Sequence, residues 1–474
     1  MDPIAKKTVV ILMPPALTES FEIVLSRVLE LRKENIALYL ISCNGETRGC
    51  VTNMFGLRCV CDHCCRVRNK AFDDFKLTTF SVNMASNRIK NSRKHSTGKS
   101  VKKWIDEGVR STILTFYRFD IRHFNQPFVR GYIFRFIEKQ LRKYSHFVYD
   151  SVNEHLACIK PDRVEFFNGR IVPTRAAMYA AIKSDVQYST IEVWGHPKKL
   201  LIIENNSPHD LPNNQNELNR YVFSGQVDSA AGKLFFEKRK NGEYTNAKSF
   251  TSAHKRGLIG RSSDKPILAI FTSSPDEQML RADQWFNEAS RDPLGFILSV
   301  VAEFSQKFRI IVRMHPNQGG DKTGATKKMI SRLSMEPYLE LIKPDDPHST
   351  YEVLDMAEIV LTFGTSVGLE ATYWGKPSVL CGRAIWDALD VQYKAASISD
   401  LKDLFSRPLA PRSQAHALAV AAYYMNGRGQ ESCLSYMRDG NVGYFADGVS
   451  YLEHKRDSSC YWISRIIDRV LRRI

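Results

Sequence analysis

The stretch LTFGTSVGLEATYWGKPSVLCG, residues 361–382, changes character three times. It leaves a strand-like apolar run at Gly364, enters a helix-like run through Thr365 and Ser366, and stops at Gly375-Lys376-Pro377 before a second apolar run. Strand, helix and strand with connections this short imply a parallel sheet. Two hydroxyls stand where the helix begins, and the unpaired backbone N–H groups there favour an anion such as phosphate. Glu370 lies four residues past Ser366, on the same helical face, where a carboxylate can accept hydrogen bonds from a ribose diol. Gly364 and Gly368 let backbone or ligand approach closely. The plainer alternative is that Ser366 only caps the helix and Glu370 is solvated.

Working outward, the same alternation continues. PILAIFTSS (266–274), RIIVRMHP (309–316), LELIKP (339–344), EIVLTFG (358–364) and PSVLCG (377–382) read as strands, with helical periodicity between them. This predicts a doubly wound α/β domain. Arg313 and His315 stand two apart at a strand end, so both point to one face and both can donate to phosphate oxygens. Ser273 and Ser274 follow another strand and are candidate ligand contacts, while Asp276 or Glu277 is suited to cap the next helix.

The amino-terminal half repeats the pattern. TVVILM (8–13) reads as a buried strand, Phe21, Val24, Leu25, Val28 and Leu31 mark an amphipathic helix, and IALYLISC (36–43) is a second strand. Residues 75–155 read mostly as helix and loop. Strands return in DRVEFFNGR (162–170), STIEVWG (189–195) and KLLIIENN (199–206). The 474 residues exceed the usual limit of one core, so two domains are expected. A polar stretch at 205–262 sets the division: 1–258, then 259–440, with a basic amphipathic helix over 441–474 docked back on the first domain.

The net charge of +16 attracts phosphate in some form. No finger, RNP-type motif or basic heptad helix is present, which argues against nucleic acid. RIKNSRKHSTGKSVKK (88–103) reads as a polar basic loop. In the tail, Trp462, Ile466, Ile467, Val470 and Leu471 recur at helical spacing among four arginines, a pattern suited to docking on the chain itself or, through 460–474, on an anionic membrane surface. No eighteen-residue apolar run and no signal-peptide pattern occur, which leads to an expected cytoplasmic location, peripheral at the inner face of the membrane if the tail binds lipid. Six of ten cysteines fall between 43 and 65. Cys43, Cys50, Cys61 and Cys64 include one Cys-x2-Cys pair and are the expected ligands of a structural zinc, with Cys59 and Cys65 as substitutes and reduced, unliganded thiols as the alternative.

RMHP followed by LTFGTSVGLEATYWGKPSVL resembles the carboxyl-terminal nucleotide-binding domain of GT-B glycosyltransferases, and more closely the bacterial capsule and surface-polysaccharide biosynthesis proteins. The His-Pro and Thr-Ser pairs are similar to donor-phosphate motifs of sialyltransferase-like and Kdo-transferase-like enzymes, and to the polyol-phosphate polymerases of teichoic acid assembly. The cysteine cluster and FNGR are also similar to parts of such proteins. The resemblance covers about 265–385. It implies two Rossmann-like doubly wound α/β domains facing a cleft. It implies a CMP- or UDP-sugar donor held by Arg313, His315, Thr365, Ser366 and Glu370, and a polysaccharide or lipid-linked glycan acceptor. The catalytic base would lie in the amino-terminal domain. Glu192 is the first candidate, Asp210 the second, and Arg170 and Arg175 could hold an anion or form salt bridges. No Asp-x-Asp motif ends a strand, so no catalytic metal is expected. Rival readings are a CDP-polyol phosphotransferase, a nucleotide-sugar epimerase and a non-catalytic scaffold of polysaccharide assembly.

Overall fold

Runs of branched apolar residues make the strands. TVVIL, ILAIF and RIIVR are buried along nearly their whole length, which requires cover on both faces of a sheet. The computed structural model describes residues 7–46, 49–84, 98–117, 129–194, 199–243, 255–260, 264–274, 281–320, 324–437 and 443–448, with Ser459, Trp462 and Ile466. The chain forms two compact units, Met1–Pro208 with Gly429–Ile474, and His209–Arg428.

The first unit contains β1 (Thr8–Leu12), β2 (Ala37–Ser42), β3 (Ser81–Asn83), β4 (Arg163–Phe167), β5 (Gln187–Val193) and β6 (Lys199–Glu204). Neighbours run β6-β5-β4-β1-β2-β3, parallel except for β6 against β5. Side chains alternate between the two faces. Val10, Leu12, Val164 and Phe166 join one buried cluster with the helices Lys99–Tyr117 and Val129–Ile159. Val9, Ile11, Leu38 and Leu40 join the other with the helix Glu19–Leu31. A buried ion pair also ties that helix to the sheet. Glu165 of β4 is wholly buried and accepts from Arg27 Nε at 2.9 Å and from a second Arg27 nitrogen at 3.2 Å. Arg163 adds a third contact at 2.7 Å.

The second unit contains β7 (Ile267–Phe271), β8 (Arg309–Arg313), β9 (Leu339–Ile342), β10 (Ala357–Thr362), β11 (Ser378–Leu380) and β12 (Tyr393–Lys394), all parallel in the order β12-β11-β10-β7-β8-β9. Apolar clusters cover it on both faces. The helices Leu211–Val222 and Ser229–Lys240, grouped with the first domain in the sequence reading, belong here. Their polar sequence hides a close contact. A Cβ on Gly232 would stand 2.5 Å from the Leu418 carbonyl of the helix Gln414–Ala422, so only glycine permits that approach.

After Arg428 the chain returns to the first unit. There β13 (Gln430–Glu431) pairs antiparallel with β6, and β14 (Leu434–Met437) forms a hairpin with β15 (Gly443–Ala446). Two Rossmann-like α/β units in one chain give the α/β fold class expected from the sequence. Of the basic tail, Trp462 and Ile466 are helical and exposed, while the rest of 460–474 and most of the basic run 88–103 lie outside the described residues. Among the described residues no helix is long and apolar enough to cross a membrane.

Replacing Glu165 with alanine leaves the buried Arg27, among the described residues, only its longer contact to Glu30, at 3.4 Å, and is expected to cost about 3–5 kcal/mol in chemical denaturation. The double substitution Arg27→Met with Glu165→Leu, which removes both charges, is expected to cost much less. Equal losses would show that the pair does not anchor the helix.

Candidate functional site

The strand order of the second unit fixes where a ligand can enter. The chain steps outward from β7 to β8 and β9, then crosses back and steps the other way from β10 to β11 and β12. Connections therefore leave β7 and β10 in opposite directions, and the carboxyl ends of these two strands bound a crevice. Thr362 pairs with Phe271 and Phe271 with Arg313, so the three strands end level. The loops carrying Ser273 and Ser274, His315, and Gly364, Thr365 and Ser366 thus emerge side by side. Asp276 and Glu277 lie outside the described residues.

The His315 loop is tightly specified. Its backbone N–H donates to Thr272 Oγ1 at 2.9 Å and to Gln318 Oε1 at 3.0 Å, and the Thr272 hydroxyl donates to Gln318 Oε1 at 2.5 Å. The Asn317 N–H donates to His315 Nδ1 at 3.2 Å. A ring whose Nδ1 accepts carries its proton on Nε2, which makes Nε2 the donor atom. Arg313 is placed differently from the sequence expectation. It is buried, and its guanidinium donates to the backbone carbonyls of Lys343 and, at 3.3 Å, Asp346. Burial pulls its pKa below the usual arginine value. Its visible work is to hold β8 to the loop after β9.

Gly364 has φ +99°, and a Cβ there would stand 2.4 Å from the Arg383 carbonyl. The glycine therefore serves the chain's own close approach. The helix after it, Val367–Tyr373, has only seven residues, and Ser366 precedes it in helical geometry without a side-chain cap bond. The Ser366 hydroxyl is instead part of a side-chain network. It accepts from Arg239 Nη2 at 2.8 Å and donates to Glu370 Oε1 at 3.2 Å. Arg239 Nε donates to the same oxygen at 3.0 Å, and the Tyr351 hydroxyl donates to Glu370 Oε2. Burial is the largest influence and lowers the Arg239 pKa, but the charges and hydrogen bonds of Glu370 and Tyr351 together outweigh it and hold the group above its usual value. Burial, helped by the Glu370 charge, pushes the Tyr351 phenol up, so it remains a donor. Sequence reasoning missed Arg239 and Tyr351. Arg239 sits in the basic last turn of a helix 131 residues from Glu370, and no local pattern connects the two.

The first unit has its own switch point, between β1 and β4. Asn168 and Gly169 follow β4 in left-handed conformations. The Asn168 amide donates to Glu192 Oε2, and the Val193 N–H donates to Glu192 Oε1 at 3.1 Å. Arg170 donates to Thr115 Oγ1 at 3.0 Å. Arg175 pairs with Glu107 and lies 3.8 Å over the Trp104 ring. Asp210 falls in the second unit, where it caps a helix through Asn213 N–H at 2.9 Å and meets Arg281 at 3.4 Å.

Cys43, Cys50, Cys61, Cys64 and Cys65 line one small cavity of about 30 Å³ beyond the ends of β1 and β2. The structure gives the expected zinc centre no support there. Among the described residues no three His, Cys, Asp or Glu side chains are grouped to hold an ion. The thiols are committed to local hydrogen bonds instead. Cys61 Sγ accepts from the Asn53 amide at 3.1 Å, Cys43 Sγ from the Gly45 N–H at 3.3 Å, and Cys50 Sγ lies 3.2 Å from Thr52 Oγ1. Burial pushes the Cys61, Cys64 and Cys65 thiols up, whereas zinc takes thiolates.

No protein-family model and no curated protein matches the chain. Among solved structures it is similar to the β-Kdo 2,4-transferase KpsC of Thermosulfurimonas dismutans, at 14% identity over 57% of this chain and 84% of that one, with a TM-score of 0.39. The β-Kdo 2,7-transferase KpsC of the same organism gives 13% identity, 60% and 86% coverage and a TM-score of 0.36. The UDP-GlcNAc 2-epimerase of Neisseria meningitidis bound to UDP-GlcNAc gives 14% identity, 88% and 97% coverage and a TM-score of 0.28. Scores this low leave the fold to rest on strand order and register.

Cys59 and Cys158 are exposed, and Cys381 is buried with its thiol pKa pushed up by burial. Because the thiolate is the reactive form, a limiting alkylating agent followed by peptide mass spectrometry is expected to label Cys59 and Cys158 first. Cys61 and Cys381 should react only after denaturation. Rapid labelling of Cys61 in the folded chain would contradict the burial of its thiol.

Proposed function

We propose that the chain is a glycosyltransferase that moves a sugar from a CMP- or UDP-linked donor to a growing surface polysaccharide or glycolipid. The supporting observation is the level exit of three loops at the β7/β10 switch point, carrying Ser273, Ser274, His315, Thr365 and Ser366. The resemblance of the His-Pro and Thr-Ser motifs to donor-phosphate motifs points the same way. The second unit is the donor unit, and the first supplies the acceptor site and the base.

In the proposed reaction an acceptor hydroxyl attacks the anomeric carbon. A new carbon–oxygen bond forms while the bond to the donor phosphate breaks. The hydroxyl proton passes to a carboxylate, the role assigned to Glu192 for an inverting transfer. Charge gathers on the departing phosphate, where His315 Nε2–H and the Ser273, Ser274 and Thr365 hydroxyls serve as fixed donors. Fixed donors assist because they need not reorganise as the charge appears.

A thermal-shift panel of UDP, CMP and CDP on the full chain tests this. A ligand at a hundred times its Kd adds about 2.7 kcal/mol of stability, so at least one nucleotide is expected to raise Tm. His315→Ala is expected to weaken that nucleotide by tenfold or more, as loss of a hydrogen bond to a charged group does at about 1.5–3 kcal/mol. No shift with any of the three nucleotides would overturn the proposal.

A further inference from the structure

Glu370 is 2% exposed, whereas the Arg239 side chain that pairs with it is 26% exposed. The carboxylate is well satisfied from within the unit. It accepts from Arg239 Nε at 3.0 Å, from the Ser366 hydroxyl at 3.2 Å and from Tyr351. Turning it to accept from a ligand diol would break bonds that neutralise a buried charge, which is costly. The guanidinium is placed differently. Of its five N–H donors, Glu370, Ser366 and Tyr351 account for three among the described residues. The Phe235 ring lies 5.3 Å from its central carbon and restricts its swing. The anion is thus the more deeply buried member of the pair, and the guanidinium lies beside Ser366 at the β10 loop. A planar cation held by Glu370 and Ser366, with N–H donors beyond those bonds, suits phosphate recognition.

We propose that Arg239 contacts the nucleotide phosphate directly, and that Glu370 is a positioning residue that acts through Arg239 without touching the ribose. This rests on the donor-site reading above. It gives the phosphate site a cation in place of Arg313, which is committed to backbone carbonyls.

Calorimetry on the full chain with UDP and its 2′,3′-dideoxy counterpart, or the CMP pair if the native chain takes CMP, separates the possibilities. Arg239→Lys, which keeps the charge and loses the fork, is expected to weaken both ligands at least tenfold. Glu370→Gln is expected to weaken both severalfold by the same factor, leaving the native preference between them unchanged. The double substitution Arg239→Met with Glu370→Gln leaves no buried charge unpaired. A native-like Tm for it, with weakened binding, shows that the loss is not unfolding. If Glu370→Gln erases a native preference for the ligand with the diol, Glu370 reads the ribose and the proposal is overturned. If Arg239→Lys binds as the native chain does, the proposal falls while the donor site stands. If the native chain binds neither nucleotide, both fall.

Discussion

The backbone pairing that holds β7 between β10 and β8 is the constraint on which the candidate site depends. Parallel strands must be joined by crossovers, and crossovers leave all the functional loops of a doubly wound sheet at one edge. The register Thr362–Phe271–Arg313 sets how far each loop projects. A slip of one residue would turn every side chain of the strand to the other face. The apolar clusters on both faces of the sheet resist that slip, because each would have to rebury its whole set. Core packing thereby positions the hydroxyls and the imidazole of the strand-end loops.

The elements that position the site were legible in the sequence, and the chemistry between them only in part. ILAIF, RIIVR and AEIVLT are short apolar runs bounded by turn residues, so their strand character and their shared edge follow from local pattern. The allegiance of the helices Leu211–Val222 and Ser229–Lys240 does not, because their sequence is polar and their cover depends on the distant helix Gln414–Ala422. Ser366 and Glu370 were found as neighbours one turn apart, which helical spacing guarantees. Their partners Arg239 and Tyr351 come from separate elements and carry no sequence cue. The cysteines show a different limit. Spacing brought Cys61 and Cys64 to one helical face, but zinc takes thiolates, and burial pushes both thiols up, away from that form.

Each unit carries a switch point, and the two are furnished differently. The second has hydroxyls, an imidazole and a guanidinium, groups that donate. The first has Glu192, an acceptor, oriented by Asn168 from a left-handed turn that brings the amide back toward β5. Donors suit a phosphate that gathers negative charge, and a carboxylate suits a hydroxyl that must lose a proton. Under the proposed function, two sheets that share a parallel core but differ at their edges would divide the transfer reaction by loop chemistry.

Amide hydrogen exchange of the full chain at saturating UDP or CMP tests the phosphate edge most directly. Slowed exchange in residues 272–274, 314–318 and 363–370, with β7, β8 and β10 themselves unchanged, is the expected result. Saturable nucleotide binding that slows exchange only elsewhere in the chain would contradict a phosphate site at the β7/β10 switch point.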